Sequence, residues 1–310
     1  MRTRPTVTNV VFLLPQRLYL LDLAGPAEVF QAAIDLGLPY RLSYVGDEPD
    51  IVTAEGLPIQ ASTTWPVLDR HDLIIVPGTE LTGGSGLPDV RISNRSLDVL
   101  RHHHKRDGNV VSVCAGAEVL GRAGLLDGRR CTTHHELQQD LGIRYPAATV
   151  IEDVLYVVDG AIATSAGIAS GIDLALHLIA VAHGPSTAAR IARTLVVYTR
   201  RNGDERQTSV LLRHRHHLDD KVHRLQDLIE DRFTERLRLI DLAGELGYSE
   251  RTVTRHFHRA TGLTPLRYQQ LLRLERAEHL IGHGSTVDSA ARAVGLADAR
   301  ALRSLRNGTK

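Results

Sequence analysis

Over its first half the chain alternates short runs of contiguous apolar, β-branched residues with segments of helical period. Val10-Val11-Phe12-Leu13-Leu14, Leu73-Ile74-Ile75-Val76, Val110-Val111-Ser112-Val113 and Val154-Leu155-Tyr156-Val157-Val158 read as buried strands, each bounded by Pro, Gly or charged residues. Between them Gly25–Leu36, Ser93–Arg106 and Gly116–Gly124 read as helices. Strands apolar on both faces need helices on both sides, so the pattern predicts an α/β fold with a mostly parallel sheet. In such folds the sites lie at the carboxyl ends of the strands.

The pattern changes after a further predicted helix at Ser186–Tyr198. Arg200–Asp204 and Arg213–Asp220 are polar and charged with no obvious apolar period, which predicts a linker at 201–221 between a first domain at 1–200 and a second at 222–310. The second domain offers no convincing strand. It reads as successive short helices at Val222–Phe233, Leu239–Leu246, Glu250–Thr261, Pro265–Ile281, Val287–Val294 and Asp298–Leu305.

Composition adds modest constraints. With 310 residues, 43% hydrophobic and 24% charged, the chain can bury two ordinary globular cores. Arg2 and Arg4 followed by an apolar stretch superficially suggest a secretory signal, but Pro15, Gln16 and Arg17 stop that run and no small-residue cleavage site follows. Two cysteines, Cys114 and Cys131, fit a reduced compartment, and no apolar run is long enough for a bilayer; a cytoplasmic protein with no membrane partner is expected. The net charge of +1 hides an asymmetry. From Lys221 onward 16 Lys/Arg face 11 Asp/Glu, a net +5, against 21 and 25, a net −4, in the preceding 220 residues. A basic module behind a mildly acidic body suits a nucleic-acid-binding tail.

The chemistry of that tail is readable between Ile240 and Phe257. Leu242, Ala243 and Leu246 make the buried face of a short helix, and Gly247 supplies the left-handed residue that ends it. Ser249 caps the next helix, with Glu250 at its positive end. On that helix Val253 and Phe257 face inward, while Arg251, Thr254, Arg255 and His258 share the outward stripe. Such a face fits a DNA major groove, where Arg reads guanine with two hydrogen bonds; it also fits an ordinary solvated helix side. Together with Arg259-Ala-Thr-Gly-Leu-Thr-Pro-Leu-Arg-Tyr and Leu272-Arg-Leu-Glu-Arg-Ala, the segment resembles an AraC-type DNA-binding domain. The resemblance implies an all-α double helix-turn-helix fold and base contacts from Arg251, Thr254 and Arg255.

A fainter second unit follows at Val287–Leu302, with Arg300 and Arg303 as its candidate contacts. Leu296 stands where the family has an aromatic residue, Arg306 where it buries a Phe, and the family's closing Gly-x-x-Pro-x-x-Tyr segment does not follow. A charge at a core position costs several kcal/mol, so a frayed second recognition helix is expected.

In the first domain, Val110-Val-Ser-Val-Cys114-Ala-Gly runs from a strand into a small-residue turn and a helix. A nucleophile at such a corner stands above the sheet, the helix N-terminus can lower its pKa, and the amides of Ala115 and Gly116 can hold an oxyanion. The same residues fit an inert cysteine buried at a strand end. Leu21-Asp-Leu-Ala-Gly-Pro-Ala-Glu-Val-Phe, Leu73-Ile-Ile-Val-Pro-Gly, Val113-Cys-Ala-Gly-Ala and Ala123-Gly-Leu-Leu-Asp-Gly-Arg-Arg-Cys-Thr-Thr-His-His resemble the ThiJ/PfpI branch of glutamine-amidotransferase-like domains. Leu155-Tyr-Val-Val-Asp-Gly and Thr164-Ser-Ala-Gly-Ile-Ala-Ser-Gly-Ile-Asp resemble its GlxA-like regulator subgroup, which carries an AraC-type tail. The resemblance implies a flavodoxin-like, mostly parallel sheet. It matches Cys114 to the elbow cysteine, His134 to a neighbouring histidine, Asp22 to the acid near the cysteine, and Gly78 to an anion-binding amide. Ala115 replaces the Thr that many relatives carry there, which weakens a hydratase reading. These five positions are the candidate ligand pocket.

Other features carry less. His102, His103 and His104 are consecutive on a helix and point different ways, so no shared metal is expected, and no cofactor motif is found. His214, His216 and His217 are expected to be solvated, and Cys131 to be a small packing residue. The expected function is a transcriptional regulator binding operator DNA and a small effector. Relatives in the subgroup respond to nitrogen metabolites such as carnitine, glycine betaine or arginine; a homodimer built through the first domain is expected, its two tails reaching two operator half-sites. Alternatives are a Cys114-dependent hydrolase or isonitrile hydratase-like enzyme, and a thiol redox sensor.

Overall fold

The computed structural model describes residues 7–80, 86–167, 169–197, 201–205, 207, 210, 214, 215, 217–282 and 284–307. The chain divides into two units, Met1–Gln207 and Thr208–Lys310. Unit 1 opens with β1 (Thr8–Leu13), α1 (Leu20–Asp35), β2 (Tyr40–Val45), β3 (Asp50–Val52), β4 (Pro58–Gln60) and β5 (Leu73–Val76). It continues through α2 (Asn94–Lys105), β6 (Asn109–Val113), α3 (Ala117–Arg122), β7 (Arg130–Cys131), α4 (Gln138–Arg144) and β8 (Thr149–Val150). It closes with β9 (Tyr156–Asp159), β10 (Ile162–Ser165), α5 (Ala169–His183) and α6 (Pro185–Thr194).

Six strands form the main sheet in the order β2-β1-β5-β6-β10-β9. All neighbours are parallel except β9, which runs antiparallel to β10. The apolar runs at Val10–Leu14 and Leu73–Val76 occupy buried central strands, as their pattern requires. Each such fully buried aliphatic side chain contributes about 1.5–3 kcal/mol. Two main-sheet strands, β2 and β10, carry no such run. In Tyr-Arg-Leu-Ser-Tyr-Val, β2 is an edge strand whose side chains are mostly half-buried or exposed, and Ile-Ala-Thr-Ser in β10 is buried but small and half polar. α1 begins at Leu20, five residues before the predicted Gly25, so Asp22 lies in its first turn rather than in the loop before it.

Unit 2 holds α7 (Asp220–Asp231), α8 (Leu239–Glu245), α9 (Glu250–Thr261), α10 (Pro265–Gly282), α11 (Val287–Ala293) and α12 (Ala299–Asn307). It has two small cores. Val222, Leu225, Ile229, Leu242, Val253, Phe257 and Tyr268 make the first; Leu274, Ala277, Ala290, Ala291, Val294 and Leu302 make the second. The 18-residue α10 gives Tyr268 to one and Leu274 and Ala277 to the other, joining two helix-turn-helix halves by one rigid rod. Ser249 accepts from the Thr252 amide at the start of α9, and Gly262, at φ 73°, ends it in the left-handed region.

Four expectations change here. The second recognition helix is not frayed: α12 runs to Asn307 and buries Leu302. Arg306 is not a core residue, because its long stem lets the guanidinium reach outward, Nε 3.5 Å from Glu278 Oε1. The predicted linker is divided between the units. Arg201 clamps Asp173 of α5 and Gln207 is buried in unit 1, whereas Arg215 pairs with Asp227 and Glu230 of α7 in unit 2. His214 and His217 are packed rather than solvated: His214 Nδ1 lies 3.2 Å from the Thr261 carbonyl, and the His217 ring stacks on His223. His216 lies outside the described residues.

Candidate functional site

The strand β6 delivers Cys114 into a backbone conformation that L-residues rarely adopt, φ 55°, before the chain turns into α3. Strain at a non-glycine residue of this kind is the mark of a held corner. Three of the predicted residues close around it. Asp22, fully buried, accepts a hydrogen bond from the Gly78 amide at 3.2 Å. Its carboxylate also accepts from the Cys114 thiol, and the Ala115 amide is directed at the sulfur. The fit leaves no room: a Cβ on Gly78 would lie 2.5 Å from Asp22 Oδ2 and 2.6 Å from Cys114 Cβ. Gly167, at φ 99°, seals the other side, where a Cβ would lie 2.3 Å from Cys114 Cβ.

This packing reverses the expected chemistry. Burial first, and then the negative Asp22 beside it, push the Cys114 thiol well above its ordinary pKa, outweighing the Ala115 amide that favours the thiolate. The anion-binding role expected of the corner amides is also changed. The Gly78 N–H is taken by Asp22, and that of Ala115 by the sulfur. His134 sits on the neighbouring loop, half-buried, its ring against His135 and its Nδ1 3.7 Å from Glu136. Burial pulls its pKa down, so the imidazole is neutral at neutral pH. The link from this loop to the elbow is made by Thr133, whose hydroxyl donates to the Cys114 carbonyl at 2.8 Å. Thr133 and Gly167 were not anticipated. Thr133 could have been suspected from its place beside the histidine pair; nothing local marks Gly167.

Cys131 is buried and free, its thiol pushed up to about 11 by burial, in keeping with a packing role. The three consecutive histidines diverge. His102 is exposed, His103 is buried with Nε2 3.0 Å from the Asp72 carbonyl, and His104 Nε2 lies 3.2 Å from Arg129.

On unit 2, α9 buries Val253 and Phe257 and leaves Arg251, Arg255 and His258 exposed, with Thr254 half-covered. These four share one open surface with Glu250 and Arg259. Arg259 was missed, although its spacing of four from Arg255 and eight from Arg251 signals the same helix face. Among the described residues, Arg251, Arg255, His258 and Arg259 take part in no ion pair within the chain. Arg300 and Arg303 are exposed on α12.

Comparison with known proteins agrees with this division. Residues 8–181 match the DJ-1/PfpI family and residues 242–305 match a helix-turn-helix domain. The HTH-type transcriptional regulator CdhR of Pseudomonas aeruginosa is 30% identical over 242 residues, covering 74% of this chain and 69% of that protein. An alignment of that length exceeds unit 1 and therefore reaches into unit 2. An isonitrile hydratase of Pseudomonas putida is 35% identical over 183 residues, 58% of this chain and 74% of that protein. Among solved structures, a ThiJ/PfpI family protein from Pseudomonas syringae superposes with a TM-score of 0.53 at 22% identity, covering 66% of this chain and 80% of that one. The chain belongs to the DJ-1/PfpI family and carries a helix-turn-helix domain behind the family domain.

Proposed function

We propose that the protein is a DNA-binding transcriptional regulator whose DJ-1/PfpI domain senses a small metabolite. The observation that carries this reading is the outer face of α9, where Arg251, Arg255 and His258 stand exposed with no acidic partner among the described residues. A folding role would have paired or covered at least part of that charge. On DNA, Arg251, Thr254 and Arg255 would read base edges, and Arg259 at the far end of the same stripe would meet phosphate. Arg300 and Arg303 of α12 would supply a second contact. A regulator of this kind acts in the cytoplasm.

The small effector would bind at the corner formed by Asp22, Gly78, Cys114, Ala115 and the His134 loop. Two copies joined through their first domains would present two reading helices to operator half-sites about one helical turn, roughly 34 Å, apart. The test is binding of the purified protein to its own upstream genomic fragments at two salt concentrations, beside Arg255→Ala. Selective, salt-sensitive binding lost in the variant supports the regulator; equal binding by both proteins sinks it.

The isonitrile hydratase relative favours a second reading, catalysis by Cys114. The buried, protonated thiol argues against it, since the thiolate is the nucleophile. Turnover of an isonitrile or small amide that disappears in Cys114→Ala would restore it. Peroxide-dependent DNA binding that Cys114→Ser abolishes would point to a redox sensor instead.

A further inference from the structure

Two independent hydrogen-bonded routes lead from the Cys114 corner to the last residues of unit 1. The first runs through side chains. The Thr133 hydroxyl donates to the Cys114 carbonyl at 2.8 Å, and the Thr133 carbonyl accepts from the Gln207 carboxamide at 2.9 Å. The same Gln207 nitrogen also donates to the Val154 carbonyl at 2.9 Å. The second route runs through backbone. Gly167 is pressed against Cys114, the neighbouring Ala166 amide donates to the Leu155 carbonyl at 2.8 Å, and the Leu155 amide donates to the Glu205 carbonyl at 3.0 Å. One residue further along, the Tyr156 amide donates to the Gly203 carbonyl at 3.1 Å.

Residues 202–205 thus form a turn, closed by the Glu205 amide on the Asn202 carbonyl at 3.1 Å, that is laid over Leu155 and Tyr156, and Gly203 packs so closely that a Cβ there would lie 2.6 Å from the Tyr156 carbonyl. Arg201 anchors the start of this strap: its guanidinium and its amide both bond the buried Asp173 carboxylate. Gln207 ends it, and unit 2 begins at the next residue.

The position of Gln207 is unusual for a domain boundary. Boundaries ordinarily fall in exposed polar segments where few contacts cross. Here the final residue is a buried glutamine whose two donor hydrogens satisfy two backbone carbonyls of the core. Its carboxamide oxygen, by contrast, is buried without a hydrogen-bond partner among the described residues. A half-satisfied buried carboxamide is held less firmly than a fully satisfied one, as a releasable latch would be.

We propose that the strap formed by residues 201–205 and Gln207 is the output element of the sensory domain, with Gln207 as a latch that reports the state of the Cys114 corner. The inference rests on the regulator reading above and names how its first domain would act. A ligand that moves the elbow backbone shifts Thr133 through its hydroxyl and Leu155 through Ala166, and both shifts weaken the strap. Release lengthens the free tether in front of the helix-turn-helix domain; docking shortens it. Gln207 is a positioning residue and touches no ligand.

The test reads the strap directly. The amides of Leu155 and Tyr156 are protected by the strap carbonyls, so hydrogen–deuterium exchange of the full chain reports its release. Gln207→Ala, which removes two internal hydrogen bonds, is expected to raise exchange at these two amides by about tenfold or more. Thr133→Ala, which touches neither amide, is expected to do the same, while Thr133→Ser, which keeps the hydroxyl, restores the wild-type rate. Wild-type protection in Thr133→Ala would overturn the coupling. If the Thr133 variants do not fold, Gln207→Ala decides alone, and unchanged exchange in it overturns the latch. Arg255→Ala serves as the separate control for the DNA reading and is expected to leave both amides as in the wild type. Loss of DNA binding and loss of the latch are therefore read independently.

Discussion

The Cys114 corner and the outer face of α9 both gather side chains capable of chemistry, and packing treats them in opposite ways. At the corner every polar group is turned on another: thiol on carboxylate, carboxylate on the Gly78 amide, Ala115 amide on sulfur. On α9 the outward side chains form no ion pair among the described residues, while Val253, Phe257 and Thr261 are buried and serve the fold. The first region cannot be altered without disturbing the core around it. The second can lose its side chains at little structural cost. The difference separates a site that acts by small shifts of a closed arrangement from a surface that acts by direct contact.

The sharpest way to break this contrast is to put a methyl group into the corner. Gly78→Ala would set a Cβ among Asp22 Oδ2, Cys114 Cβ and the Ala115 nitrogen, all inside contact distance, the last two fixed by the backbone and the first on a fully buried side chain. We expect a loss of about 3 kcal/mol or more, read from urea unfolding. A variant as stable as the wild type would mean that the corner yields easily.

A second prediction concerns the buried thiols. The Cys131 pKa is raised to about 11 by burial, against an ordinary value of about 9. A group whose folded pKa is raised binds its proton more tightly in the folded state. Its stabilisation is therefore complete below pH 9 and is lost as pH rises from 9 to about 11. A shift of this size is worth about 2–3 kcal/mol. Cys114, raised in the same direction, adds to the loss. Urea unfolding under reducing conditions at pH 8 and pH 10.5 should show the fall, and Cys131→Ala should reduce it. A Cys131→Ala protein that loses as much as the wild type over that interval would assign the effect to other groups.

Third, Arg255→Ala should weaken operator binding by about 10- to 100-fold, the worth of one bidentate base contact, while the unfolding midpoint stays where it was. A large loss of stability would show that α9 is less independent of its outer face than its exposure implies.

How far the chain could be read without coordinates follows from the same contrast. Segments whose role is fixed by local pattern were legible: the apolar runs of β1, β5 and β6, the Ser249 cap, the Gly247 stop, the two-sided α9. Segments whose role is fixed by what packs on them were not. β10, small and half polar, becomes a buried strand because β6 and β9 pair with it on either side. The strap of residues 201–205 and Gln207 looks like a linker because its apolar content is low, yet backbone and side-chain hydrogen bonds hold it, and these leave no periodic trace in sequence. The Cys114 motif revealed the strained elbow but not the sign of the pKa shift, because burial and Asp22 act across the fold whereas the helix N-terminus is visible locally.

Arg306 offers the smallest predicted effect and the clearest lesson about position and side chain. By its resemblance to the AraC-type pattern it stands where the family buries a Phe, and on that ground it reads as a charge in a core. Phe257 is fully buried, whereas Arg306 is largely exposed and meets Glu278 at the surface. The second core closes without it, on Leu302 and on Ala277, Ala290 and Ala291, and the three small alanines let the helices approach. Arg306→Ala should therefore change the stability of unit 2 by no more than about 0.5 kcal/mol, the scale of an exposed ion pair. Leu302→Ala, in contrast, should cost about 2–5 kcal/mol. Both are measured by urea unfolding followed through helical circular dichroism. A loss at Arg306 comparable to that at Leu302 would mean that the second core does depend on the arginine stem, and that α12 is held by less than its buried leucine suggests.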